Sequence, residues 1–223
     1  MGQTRPMRHP FALALLVASL LVAGACSDDD DGGDAADAST STTAEETATT
    51  CEADDADATE LEALLADTVP DGFEQQADDV GDTGPSDLAK AVRDDGMEDA
   101  SQALTELGFR RGYQRLWMNE ADEQLIAFLY EFCDEEGASA AAQRTADLLV
   151  ATGGFEPLET SVDGASGFVQ EGSQGTVVTV TAPSGAYAVQ AVAFSPTATA
   201  TVEELTARAE ALLDGQLAQL DSA

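Results

Sequence analysis

Between Ser27 and Asp57 the chain carries no Leu, Ile, Val, Phe, Trp, Tyr or Met. The stretch is built from Asp, Glu, Ala, Ser, Thr and Gly around a single cysteine, Cys51. A segment so poor in apolar surface cannot offset the conformational entropy lost on ordering, so disorder is expected across it. Whatever core this chain builds must come from residues 58–223, a length that suits one domain. Its like charges should extend the segment into a tether that holds the domain away from an acidic envelope. Asp28 to Asp31 and Asp34 lack the spaced loop, central Gly and distal Glu of an EF-hand. They read as a solvated acidic run rather than a calcium site.

Ahead of the tether stand a basic start with Arg5 and Arg8, an apolar run from Phe11 to Ala23, and the small residues Ala23-Gly24-Ala25 before Cys26. A charged front, a short apolar middle and small residues at the cut are what an export signal requires. The apolar run has 13 residues, short of the roughly 20 that span a bilayer as a helix. Residues 1–27 resemble a bacterial lipoprotein signal. The resemblance implies that residues 1–25 are removed and that Cys26 is lipidated as the first mature residue. It also implies a lipid-anchored protein on the extracytoplasmic face of the cell membrane. One departure is Ala23, three residues before the cysteine, where that family usually has Leu. Ordinary signal-peptidase cleavage after Ala25 is the alternative, because Ala23-Gly24-Ala25 also fits A-x-A.

Composition narrows the chemistry of the remaining 198 residues. Seven basic residues stand against 43 acidic ones once Arg5 and Arg8 are gone. Such a surface repels phosphate backbones, which argues against a nucleic-acid partner. The only histidine, His9, lies in the leader. Ser-His-Asp triads and histidine-liganded metal sites are therefore unavailable, and neither a metal nor a cofactor is expected. Lys90 is the only lysine, and Leu88-Ala-Lys90-Ala-Val92 is ordinary helix sequence. With Cys26 taken by lipid, Cys51 and Cys133 form an even pair in an oxidising compartment and are expected to be disulfide-bonded. That bond would close a loop of about 80 residues.

Apolar spacing gives the order of elements. Leu61, Leu64 and Leu65 share one side of a short helix, and Val69-Pro-Asp-Gly-Phe73 reads as a turn. Ser86 is a cap candidate for a helix carrying Leu88, Ala91 and Val92, interrupted at Asp95-Gly96. Met97 to Leu107 continues a helical stripe that Gly108 stops. The period then switches. Tyr113, Arg115 and Trp117 fall on one face of a strand, and Gln114, Leu116 and Met118 on the other. Leu125 to Phe132 follows as a strand apolar on both faces, hence central and helix-covered on at least one side. Asp134 can cap the next helix, which is expected to end near Gly153-Gly154. Strands follow over 166–170, 176–181 and 186–194, and then a capping box, Thr201-Val-Glu-Glu204, opens a leucine-rich helix.

Hairpins rather than crossovers dominate this order. They predict an α+β fold, an antiparallel sheet with helices packed on one face. The recurring strand-strand-helix rhythm suggests two pseudo-equivalent halves.

Chemistry-bearing residues are few. Arg110, Arg111 and Arg115 form the one positive cluster, beside Tyr113 and Trp117, and could frame a site for a carboxylate, sugar or aromatic ring. The competing reading places Trp117 in the core and pairs the arginines with some of the many acids. Glu131, Asp134, Glu135 and Glu136 gather at a strand-to-helix junction, where a glycosidase-type carboxylate pair could sit. Glu135 and Glu136 more simply occupy a helix's first turn, where negative charge is favoured. The sequence is thus expected to encode a non-catalytic ligand-binding or sensory lipoprotein. Its partners would be the membrane and either a small molecule or an envelope protein. The rival readings are a structural or assembly lipoprotein acting through a protein interface, and a carboxylate-based hydrolase.

Overall fold

The computed structural model describes residues 59–223 apart from 67, 68, 70, 71, 79, 153, 197 and 198. The leader, the tether, Cys26, Cys51, most of the turn after Val69 and the helix stop at Gly153 lie outside the described residues.

The chain enters through a short helix, α1 (Thr59–Leu64), then two short strands, β1 (Glu74–Gln75) and β2 (Gly84–Ser86). Helices α2 (Leu88–Asp95) and α3 (Ala100–Glu106) precede a long hairpin of β3 (Phe109–Met118) and β4 (Gln124–Phe132). Helix α4 (Glu135–Thr152) leads into β5 (Glu156–Leu158), β6 (Ser166–Gly172), β7 (Gly175–Ser184) and β8 (Tyr187–Ser195). Helix α5 (Val202–Asp221) follows. The eight strands form one open sheet in the order β1-β3-β4-β8-β7-β6-β5, with β2 also paired to β3. Every pairing is antiparallel. The α+β class and the antiparallel sheet are those expected from the hairpin-rich order.

The helices divide between the two faces instead of sharing one. Val178, Val180 and Ala182 of β7 and Val189, Ala191 and Ala193 of β8 point towards α5, joining its Leu205, Ala209, Leu212 and Leu213 in one core. The opposite face is covered by α4, whose Ala138, Ala141 and Ala142 meet Phe109, Phe132 and Ala188. Further along, its Ala146 meets Phe168. The period of two explains this, because β7 sets Val177 opposite Val178 and Val180, and β8 sets Val192 and Phe194 opposite Val189 and Ala191, so each face needs a cover. Leu205, Leu212 and Leu213 are completely buried, and each such burial contributes about 1.5–3 kcal/mol. Because α4 and α5 lie over the same β7–β8 pair from opposite sides, the two strand-strand-helix units are not equivalent halves.

Local signals set several element ends. Thr201 and Glu204 form the capping box at α5, each satisfying the other's backbone amide. Asp134 accepts from the Gly137 amide at 2.8 Å and so caps α4 as expected. Gly96, at φ 74°, ends α2 in the left-handed conformation. The cap of α2 is Asp87 rather than Ser86: the Asp87 carboxylate accepts from the Lys90 amide, while Ser86 belongs to β2. Strand β3 also starts four residues earlier than Tyr113, with a register shift between Phe109 and Arg111.

Candidate functional site

The arginine–aromatic cluster lies on one face of β3. Arg111, Tyr113, Arg115 and Trp117 alternate along that strand and point to the side covered by α1 and α5. Trp117 is 3% exposed, Tyr113 2% and Arg115 5%, so these side chains are interior. Tyr113 donates to Asp78 Oδ2 at 2.6 Å. Burial first, and then the Asp78 carboxylate, push its phenol above the ordinary tyrosine range. The Arg115 guanidinium stands 6.0 Å from the centre of the Tyr113 ring and donates to Glu62 of α1 at 3.3 Å.

Arg110 and Arg111 converge on Glu131 of the neighbouring strand. Arg110 Nη1 lies 2.7 Å from Glu131 Oε1, and Arg111 Nε 2.6 Å from Oε2. Glu131 is 7% exposed, and a carboxylate taken out of water needs this double compensation. Arg111 also reaches Glu60 of α1 at 3.2 Å. The structure therefore brings all five cluster residues together and commits their charges to acids of the same chain. It does not bring Glu131 to Asp134: one faces two arginines, the other caps α4. Glu135 and Glu136 are exposed on the first turn of α4, beside a surface hollow of about 820 Å³ that Asp134 also lines.

A second polar centre escaped the sequence reading. Lys90, on α2, is 6% exposed. Its ammonium lies 2.9 Å from Gln114 Oε1, 3.1 Å from Asp94 Oδ2 and 3.6 Å from Asp82. Gln114 Nε2 donates in turn to Asp94 and to Tyr130 Oη. These groups satisfy one another and rivet α2 to the far face of β3 and β4. The available signal was the Lys90–Asp94 spacing of four on a helix, which faces the two side chains together. Its convergence with Gln114, 24 residues away, is tertiary.

A third centre is Glu123, 5% exposed at the β3–β4 turn. It accepts from Asn119 at 2.6 Å and from Arg208 of α5 at 3.0 Å, with Ser195 and Thr199 at 3.4 Å. Cys133 directly follows β4. Its proposed partner Cys51 lies outside the described residues. Among the described residues no group of three or more His, Cys, Asp or Glu could hold a metal ion, and no helix is long and apolar enough to cross a membrane.

No protein-family model matches this chain, and no curated protein matches it. Among solved structures, it is similar to the extracellular domain of PknH from Mycobacterium tuberculosis, at 11% identity and a TM-score of 0.42. That match covers 75% of this chain and 93% of the other.

Proposed function

We propose that this protein is a lipoprotein tethered to the extracytoplasmic face of the cell membrane, carrying a non-catalytic binding or sensory domain. The observation that carries the reading is the order of residues 1–57. A basic start, a 13-residue apolar run and small residues lead to Cys26, and a strongly acidic stretch without large apolar side chains follows. One acyl chain gives only marginal membrane affinity, so stable anchoring draws on the multiple chains of a lipidated N-terminal cysteine. Replacement of Cys26 by Ala in the full chain tests it. The variant should leave the membrane fraction and lose its lipid mass, whereas an unchanged membrane fraction would overturn the reading.

Within this reading Cys51 is the partner of Cys133, the one other cysteine that lipid does not claim. Peptide mapping without reductant should recover residues 51 and 133 in one linked pair. A Cys26–Cys133 pair would overturn both the bridge and the lipid assignment.

The buried state of Arg115 and Trp117 bears on what the domain binds. A small-molecule pocket built on them would need α1 to move aside, so recognition through a protein-like segment is favoured over capture of a free small molecule.

A further inference from the structure

We infer that α1 is a built-in occupant of the arginine–aromatic face of β3, and that this face can exchange it for an acidic, leucine-bearing helical segment of a partner protein. The inference deepens the binding reading proposed above but needs neither the lipid nor the tether.

Four observations point the same way. First, α1 meets β3 as a peptide ligand would meet a receptor. Glu60 lies on Arg111 and Glu62 on Arg115, while Leu61 and Leu65 enter the core that holds Tyr113 and Trp117. Charge outside and leucine inside is the pattern of a helix laid into a groove. Second, the ionic part of this contact is at the solvent boundary: the Glu60 side chain is 76% exposed and that of Glu62 45%. The arginine side chains are buried, at 12% and 6%, so water and salt reach each pair from its carboxylate side.

Third, α1 spans only six residues, too few to persist as a helix without its receptor. Its end is held by a side chain from another element. Gln216 of α5, 1% exposed, donates to the Leu64 carbonyl at 2.6 Å and accepts from the Ala66 amide at 2.9 Å. Such a clamp reads backbone atoms and would serve any helical segment of the same length. Fourth, most of the sheet's cover lies elsewhere: α4 packs on the opposite face, and α5, although it touches α1, packs chiefly on β7 and β8. Removing α1 therefore uncovers one face of β3 and leaves the central layers in place.

The chain carries one tryptophan, and it sits on this face at 3% exposure, so its fluorescence reports the contact directly. Acrylamide is the suitable quencher, because the acidic surface would repel iodide. In the purified wild-type protein Trp117 should emit in the blue and resist quenching. In the double variant Leu61→Ala, Leu65→Ala the emission should shift to the red and the quenching constant should rise several-fold, with far-UV circular dichroism nearly unchanged. A synthetic peptide of residues 59–66 added in excess should reverse both changes. The same peptide with Glu60→Lys and Glu62→Lys should not.

A second variant, Glu60→Gln with Glu62→Gln, keeps every leucine. It should raise the quenching constant less, yet bind the wild-type peptide measurably where the unmodified protein does not. Loss of circular dichroism in step with Trp117 exposure would overturn the inference, because α1 would then be an inseparable part of the core. So would a folded double variant that ignores the peptide, or one whose Trp117 stays shielded.

Discussion

The ring of Tyr130 lies directly against the backbone of Gly112, its partner across the β3–β4 ladder. A β-carbon at residue 112 would collide with Cδ1 and Cε1 of that ring, and would also crowd Ser86. The glycine is needed for this close approach, and the ring in turn covers backbone that glycine leaves bare. From there Tyr130 meets Phe109 edge-on at 5.7 Å and accepts a hydrogen bond from Gln114 at 2.8 Å.

Gly112→Ala should accordingly displace Tyr130 and break its bond to Gln114. The overpacking cost is about 1–3 kcal/mol, read as a lower urea midpoint with an unchanged slope. Adding Tyr130→Ala should recover part of the loss at the clash and not at the network. Equal stability of wild type and Gly112→Ala would show that the ring moves freely.

Lys90 is the donor at the centre of the α2 rivet. Lys90→Met keeps the side chain's length and apolar stem but leaves Gln114 Oε1 and Asp94 without their cation. Because Asp94 retains some contact with water, the expected loss is about 1–3 kcal/mol rather than the full cost of a buried orphan charge. Hydrogen exchange should locate the loosening in α2 and spare α5.

Glu123 joins the β3–β4 turn to β8 and α5 through Asn119, Ser195 and Arg208. Glu123→Ala should cost about 2–3 kcal/mol, since it strands hydrogen-bond donors in a buried place. Glu123→Gln should cost less, because an amide oxygen still accepts from Arg208. Equal losses in thermal denaturation would show that the charge, which both variants remove, and not the hydrogen bonding is what matters there.

Arg144 ties α4 to the α2–α3 connection, with Asp95 at 2.8 Å and Asp99 at 2.7 Å. Its hydrogen bond to Asp99, followed by its charge, holds that carboxyl below the ordinary aspartate range. A depressed carboxyl contributes stability that is complete above its unfolded pKa, about 3.9. That contribution fades as pH falls through the lower folded value. Arg144→Gln should therefore melt at a lower temperature than wild type at pH 6. The gap should narrow steadily below pH of about 4. A gap that stays constant from pH 6 to pH 3 would rule out linkage through Asp99.

Where side chains act on near neighbours, the sequence was readable. The capping box at Thr201, the Asp134 cap, the helix stop at Gly108 and the shared face of Tyr113, Arg115 and Trp117 all depend on spacings of four residues or fewer. The covering of both sheet faces was half legible, since the alternation of β4 already showed two apolar sides. The short strands β1, β2 and β5 were not. Glu74–Gln75 is polar and exposed, and only the free edge of β3 makes it a strand. Sequence could place the arginine cluster but not its fate. Glu60 and Glu62 stand some 50 residues upstream of the arginines they meet, among 43 acids that offered equal claims. Lys90 was passed over because its helix reads as ordinary, and its burial is decided by Gln114 on a strand two elements later.

Helix α5 closes one whole side of the β7–β8 pair, and the residues that do so begin at Leu205 and run to Leu213. Until that stretch is in place, β7 and β8 present Val178, Val180, Val189 and Ala191 to water on this face. Closure of this core is thus timed by position along the chain, since strands formed earlier wait for α5 to join them.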